Sequence, residues 1–248
     1  MEIIFIRLIL NSLSIAVLTA VPFFILYKWK TAKLAARKIQ DGMQTGSQVK
    51  REIFNGISTL AIFSIVGTCM FYLITKNIVR LEMGFSFVII PQIFALLFFH
   101  DLYFYFIHRL MHTRFLFHRI HYVHHQSVSP TPFTSFSFHP YEAMLEVLIF
   151  PILLLSYDWN IIAFFVFGFL SRILNITGHL GYDFFPKNQT ENPILKYLNT
   201  TIYHDLHHQK NGYNFGLYFN WWDRIFKTKD SRYEEYFAER KVEGKSLY

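Results

Sequence analysis

The sequence predicts an all-α integral membrane helical bundle with a cytoplasmic histidine-rich cap. Three observations lead there. Of 248 residues, 52% are hydrophobic and 19% aromatic, while only 17% are charged, against roughly a quarter in an ordinary soluble domain. The apolar residues fall in runs long enough to cross a hydrocarbon core, which takes about 20 helical residues. Eight of the twelve histidines are gathered into three short clusters at the ends of such runs: "HRLMH" at 108–112, "HYVHH" at 121–125 and "HDLHH" at 204–208.

The first run, residues 3–27, is broken only by Arg7 and small polar residues such as Asn11 and Ser12. It is too long for the apolar core of a secretory signal, and no positive segment precedes it apart from Arg7. Residues 53–74 and 85–107 form the second and third runs, with Pro91 expected to kink the third and His100 and Asp101 interrupting it. Residues 144–176 contain Pro151 and the pair Asp158 and Trp159. They read as two short helices packed as a hairpin, each short for a full crossing, which suits a re-entrant or shallow pair.

Basic residues set the orientation. Lys28, Lys30, Lys33, Arg37, Lys38, Lys50 and Arg51 fill the loop after the first run, opposed by Asp41 and Glu52, and positive loops stay cytoplasmic. The N-terminus then faces outward, the loop at 76–83 lies outside, and the third run returns the chain to the cytoplasm near His108. If the 144–176 hairpin enters and comes back, all three histidine clusters meet on the cytoplasmic side.

The net charge of +7 does not indicate nucleic acid, because the basic residues flank the runs; anionic lipid headgroups are the simpler partner. The single Cys69 sits inside an apolar run, so there is no disulfide framework. No internal repeat or linker divides the chain. It reads as one domain: N-terminal spans at 1–84, a histidine-bearing region at 85–230 and a C-terminal tail at 231–248.

The cluster spacing carries chemistry. His108 and His112 lie one helical turn apart on one face and can share a metal. His121, His124 and His125 follow i, i+3, i+4, and His204, His207 and His208 repeat that pattern. Imidazole suits iron, zinc, copper or nickel, and no cluster supplies a cage of carboxylate oxygens. A catalytic zinc takes three protein ligands, whereas two metals with four or five nitrogens each take about eight to ten. The clusters supply eight; His179 in "NITGHLGYD" is a ninth candidate and His139 in "SFHPYE" a further one. Asp101, Asn175 and Asp205 are candidates to orient histidine rings by accepting their distal N–H groups. His100 and His118 read as interfacial or core residues.

These motifs resemble the three histidine boxes, HxxxH, HxxHH and HxxHH, of the fatty acid hydroxylase superfamily, which includes sterol desaturases and C4-methylsterol oxidases. "SFHPYE" and "NITGHLGYDFFP" look like its intervening FHPxE and NxxGH elements, and "YHDLHHQKNGYNFGLYFNWWDRIFKT" is similar to its C-terminal signature. The resemblance covers roughly 85–230.

It implies a membrane-embedded non-haem di-iron oxygenase that uses O2 and two electrons to hydroxylate or desaturate a C–H bond of a hydrophobic lipid such as a sterol or fatty acyl chain. Carried over residue by residue, it implies iron ligation by His108, His112, His121, His124, His125, His179, His204, His207 and His208. No flavin or nicotinamide fingerprint is present, so the electrons come from a separate cytochrome b5-like or ferredoxin-type carrier. Arg109, Arg114, Arg119 and Lys210 are candidates to dock it. A bacterial inner membrane or the endoplasmic reticulum is the expected location. A zinc-dependent membrane hydrolase and a metal transporter are the competing readings; the first lacks an HExxH motif, and the second expects ionisable residues within the spans.

Overall fold

A computed structural model describes residues 2–29, 32–42 and 44–243. Lys30 of the basic loop and the last five residues of the tail, 244–248, lie outside the described residues.

The described chain is helical and contains no strand, only isolated bridges. The main helices are α1 (Glu2–Phe23), α2 (Gly46–Thr75), α3 (Ile89–Met111), α4 (Pro140–Val147), α5 (Ile149–Ser156), α6 (Ile161–Gly178), α7 (Thr201–Lys210) and α8 (Tyr233–Glu243).

Helices α2, α3 and α6 are each long and apolar enough to cross a membrane, and a shorter apolar helical stretch runs over Ser12–Lys28. Only 6% of the most apolar part of α2 and 22% of that of α6 is buried within the protein. Water would not tolerate so much bare apolar helix, whereas hydrocarbon does. Phe54, Ile57, Ile65, Phe94, Phe165 and Phe169 all point outward. This is a membrane protein.

Thr45 Oγ1 accepts the Gln48 N–H at 3.1 Å and starts α2, whose 30 residues span about 45 Å. The third run departs from its sequence expectation. Helix α3 begins at Ile89, so Pro91 sits in its first turn, where the missing N–H has no intrahelical partner to lose, and the helix continues unbroken to Met111. The region from 144 onward also differs. A break after Val147 gives two short helices, α4 and α5, but α6 runs 18 residues and is long enough to cross.

Asn160 organises the corner between α5 and α6. Its Oδ1 accepts the Ile162 N–H at 2.9 Å, and its own N–H donates to Gln92 Oε1 of α3 at 2.7 Å. The core beneath joins Leu96 and Leu97 of α3, Ile149 and Leu153 of α5, and Ala163 and Phe167 of α6.

Helices α3 and α6 both run toward the same end of the bundle, where α7 packs against α6. Thr200 Oγ1 caps α7 by accepting the Tyr203 N–H at 3.0 Å, and Thr201 Oγ1 donates to the Thr177 carbonyl at 2.8 Å, tying α7 to the end of α6. A second core of Ile202, Tyr203, Leu206, Tyr233 and Phe237 holds α8 over the outer face of α7. All three histidine clusters therefore lie at one end of the molecule.

Candidate metal centre

Nine histidines converge at that end in two groups. His108, His112, His121, His125 and His207 form one; His124, His179, His204 and His208 form the other. The groups interleave the clusters. His121 and His125 lie one turn apart on one side of their segment, while His124, about 60° round the helix, turns to the other group. Cluster 204–208 divides in the mirror sense, with His207 turned to the first group and His204 and His208 to the second.

Residues Phe117–His121 form a π-helical turn that leads into Tyr122–His125, the kind of widened turn that re-aims side chains at functional sites. His179 caps the end of α6, and α7 presents its three histidines along one buried flank. Eight of the nine are buried and His112 is half-buried.

The ring nitrogens face one another at ligand spacing. Nε2 of His121 lies 3.1 Å from that of His108 and 3.0 Å from that of His125; Nε2 of His207 lies 3.1 Å from those of His112 and His125. In the second group, Nε2 of His204 is 2.9 Å from that of His179 and 3.2 Å from that of His208, while His179 and His124 are 3.4 Å apart. Nitrogens placed at right angles around a metal at about 2.1 Å stand about 3 Å apart.

Four rings have their opposite nitrogen engaged by an acceptor. His108 Nδ1 donates to the Phe215 carbonyl at 2.8 Å, His207 Nδ1 to the Tyr213 carbonyl at 2.6 Å, His179 Nδ1 to the Asn175 carbonyl at 2.8 Å, and His121 Nδ1 to Glu142 Oε1 at 2.7 Å. A carbonyl cannot donate, so in His108, His207 and His179 the proton sits on Nδ1 and Nε2 carries a bare lone pair. Lone pairs facing one another repel unless a cation lies between them.

Electrostatics agree. Burial holds His179 and His207 down to about 4. Burial first, and neighbouring imidazoles second, keep His121, His124, His125, His204 and His208 well below the usual histidine range. The rings are neutral and available as ligands, which metal binding requires. The donor set fits a pair of transition-metal ions of the kind imidazole prefers.

The remaining expected site residues are placed differently. His139 caps α4: its Nδ1 accepts the Tyr141 N–H at 3.3 Å, and it joins neither group. Asp101 accepts the N–H of Tyr218 at 2.7 Å rather than a histidine N–H, and Asp205 accepts from Gln40 at 2.8 Å and Gln209 at 2.6 Å. Asn175 serves His179 through its backbone carbonyl, its side-chain amide being donated to the Ser135 carbonyl at 2.9 Å. His118 is exposed and outside both groups. His100 is buried, with Nδ1 2.7 Å from Tyr218 Oη.

Three acids that spacing alone does not identify build the support. Glu142 holds His121. Asp223 accepts the N–H groups of Phe215 and Gly216 at 2.9 and 2.8 Å, together with Tyr203 Oη at 2.9 Å and Thr228 Oγ1 at 2.7 Å, and so fixes the loop whose carbonyls hold His108 and His207. Gly216 is required there, since a Cβ would meet the Phe219 carbonyl at 2.3 Å. Glu52 of α2 accepts from Gln48, Ser127, Thr131 and Thr134, pinning the segment that follows His125.

A cavity of about 540 Å³ opens from the histidines into the bundle, with Phe63, Phe104, Phe138, Phe150 and Phe164 among its walls. Its size lies within the range of small-ligand sites, about 300–1,000 Å³.

Fold and site together define a membrane-embedded helical protein with two polyhistidine groups at the head of an apolar cavity. The family model described as fatty acid hydroxylase matches residues 93–228, a stretch that contains all nine histidines, and the chain belongs to that family. It is 31% identical over 194 residues to a lathosterol oxidase of Homo sapiens, covering 75% of this chain and 63% of that protein. It is 31% identical over 160 residues to a methylsterol monooxygenase 1 of Gallus gallus, covering 64% and 53%. It is also 35% identical over 130 residues to a Delta(7)-sterol 5(6)-desaturase of Leptosphaeria maculans, covering 51% and 33%. The chain thus spans less than two thirds of the length of these relatives. No solved structure matches it.

Proposed function

We propose that the protein is a di-iron oxygenase that hydroxylates or desaturates a C–H bond of a membrane lipid with O2 and two electrons. The observation that carries this reading is the pair of histidine groups, their Nε2 lone pairs converging at the head of an apolar cavity between membrane-spanning helices. Five nitrogens would hold one iron and four the other, and the bound pair would supply the activation of O2.

The chain's own residues do the rest. The Phe215 and Tyr213 carbonyls and Glu142 hold their ligand rings in one tautomer and one orientation. The phenylalanine walls take up an apolar chain or ring system and exclude water from the reacting carbon. The lipid reading is supported by the sterol enzymes among the relatives, whose named activities are oxidase, monooxygenase and desaturase.

In this proposal the histidine end faces the cytoplasm, because Lys28, Lys33, Arg37, Lys38, Lys50 and Arg51 flank the helices there. Arg109, Arg114, Arg119 and Lys210 are exposed at that end and form a basic surface for an acidic electron carrier.

The test is turnover. Iron-loaded protein, supplied with a cytochrome b5 or ferredoxin reducing system and O2, is incubated with sterols and phospholipid acyl chains, and the products are read by mass spectrometry. A gain of one oxygen or a loss of two hydrogens supports the proposal. Release of a hydrolysis product without O2 consumption contradicts it.

A further inference from the structure

The cavity wall contains polar groups, and most of them are occupied by protein partners. Tyr218 Oη lies 2.7 Å from His100 Nδ1, Ser171 Oγ donates to the Gly168 carbonyl at 3.0 Å, Thr68 Oγ1 donates to the Ser64 carbonyl at 2.8 Å, and Glu142 receives His121 through Oε1, its Oε2 having no partner among the described residues.

Glu146 differs. It lines the same cavity, yet no described residue hydrogen-bonds its carboxyl group. It stands one turn of α4 beyond Glu142, about 6 Å along the helix axis. The side chain is half-buried and faces the cavity, so a ligand that fills the cavity takes it out of water; one that supplies a hydrogen bond offsets that cost. Burial alone pushes this carboxyl up to about 8, so at neutral pH it is largely protonated and can both donate and accept. The smallest neutral ligand group that does the same in return is a hydroxyl; an ammonium only donates and a ketone only accepts.

We propose that Glu146 is a specificity-determining residue that hydrogen-bonds a hydroxyl group of the lipid substrate, placing that hydroxyl about one helical turn from the carbon presented to the histidines. The inference rests on the lipid-oxygenase reading of this cavity and adds the substrate's chemical class: a lipid alcohol whose hydroxyl lies near the carbon attacked. A sterol and a linear chain can both carry that group.

The experiment measures binding, which is separable from turnover. Iron-loaded full-length protein in nanodiscs is titrated with two matched pairs, cholestanol against cholestane and octadecanol against octadecane. In the wild type, at least one alcohol should bind about tenfold or more tightly than its hydrocarbon, and the pair that shows the ratio identifies sterol or linear chain. Glu146→Leu should bring that ratio to within about twofold of unity, while Glu146→Gln, which still donates and accepts, should retain most of it.

A ratio near unity for both pairs in the wild type, or a ratio unchanged in Glu146→Leu, overturns the proposal. Iron content and product formation are read on the same samples. Failure of the oxygenase reading would show there, while the alcohol-to-hydrocarbon ratio reports on Glu146 alone.

Discussion

Ser127 Oγ donates a 2.7 Å hydrogen bond to Glu52 Oε1, joining the segment just past His125 to the long apolar helix α2, 75 positions earlier in the chain. Thr131 and Thr134 donate to the same fully buried carboxylate at 2.5 and 2.9 Å. Glu52 thus anchors the histidine-bearing turn although it touches no histidine. Glu52→Ala leaves three buried hydroxyls without their acceptor and should destabilise the protein by about 3 kcal/mol or more. Glu52→Gln keeps one acceptor oxygen and should lose less. Thermal unfolding in detergent gives the comparison; equal stability of Glu52→Ala and the wild type would remove Glu52 from the account.

The two groups predict which histidines matter for metal. His124→Ala and His207→Ala each remove a ligand nitrogen from one group and should lower bound iron and abolish turnover. His118→Ala should leave both intact, because that ring is exposed and belongs to neither group, and its effect on stability should stay within about 0.5 kcal/mol. Iron content of the three variants decides the matter, and comparable loss in His118→Ala would contradict the grouping.

Glu142 orients His121 through a 2.7 Å contact while lining the cavity. A carboxylate behind a ligating histidine typically contributes about 10- to 100-fold in metal affinity. Glu142→Ala should weaken iron retention by that order in chelator competition, with Glu142→Gln intermediate because its amide oxygen still accepts from Nδ1. Unchanged retention in Glu142→Ala would show that the contact is only structural.

The metal-free protein should lose stability on acidification. His179 and His207 are held down to about 4 in the fold by burial, against about 6.5 in an unfolded chain. The unfolded state therefore takes up protons first as the pH falls. Their contribution is complete above about 6.5 and is lost progressively down to about 4. The other buried histidines act in the same direction and outnumber the carboxyls that oppose them, Glu142, Glu146, Asp205 and Asp223, which burial pushes up. Unfolding midpoints of chelator-treated protein at several pH values should fall steadily below about 6.5; a rise would contradict neutral, buried rings.

The spacing of the clusters identifies eight of the nine converging histidines directly, because residues three and four apart must share a helical flank. The ninth, His179, stands alone in sequence and comes together with the others only because α6 ends beside α7. The interleaving of the two groups depends on how the 121–125 and 204–208 segments face one another, which no periodicity reveals. Glu52 looks in sequence like a loop charge among lysines, yet it is a buried acceptor inside α2. His139 has the composition of a ligand and is a helix cap, while the Tyr213 and Phe215 carbonyls that hold two ligand rings have no side-chain signature. Runs of apolar residues locate the spans, but not the start of α3, where Pro91 falls in the first turn, nor the length of α6.

The central claim is that nine histidines hold two metal ions, and metal content per chain tests it most directly. Protein expressed with iron supplied, purified anaerobically in detergent and analysed for all transition metals should contain close to two irons per chain. One zinc per chain with no iron, or no metal at all, would contradict the di-iron account.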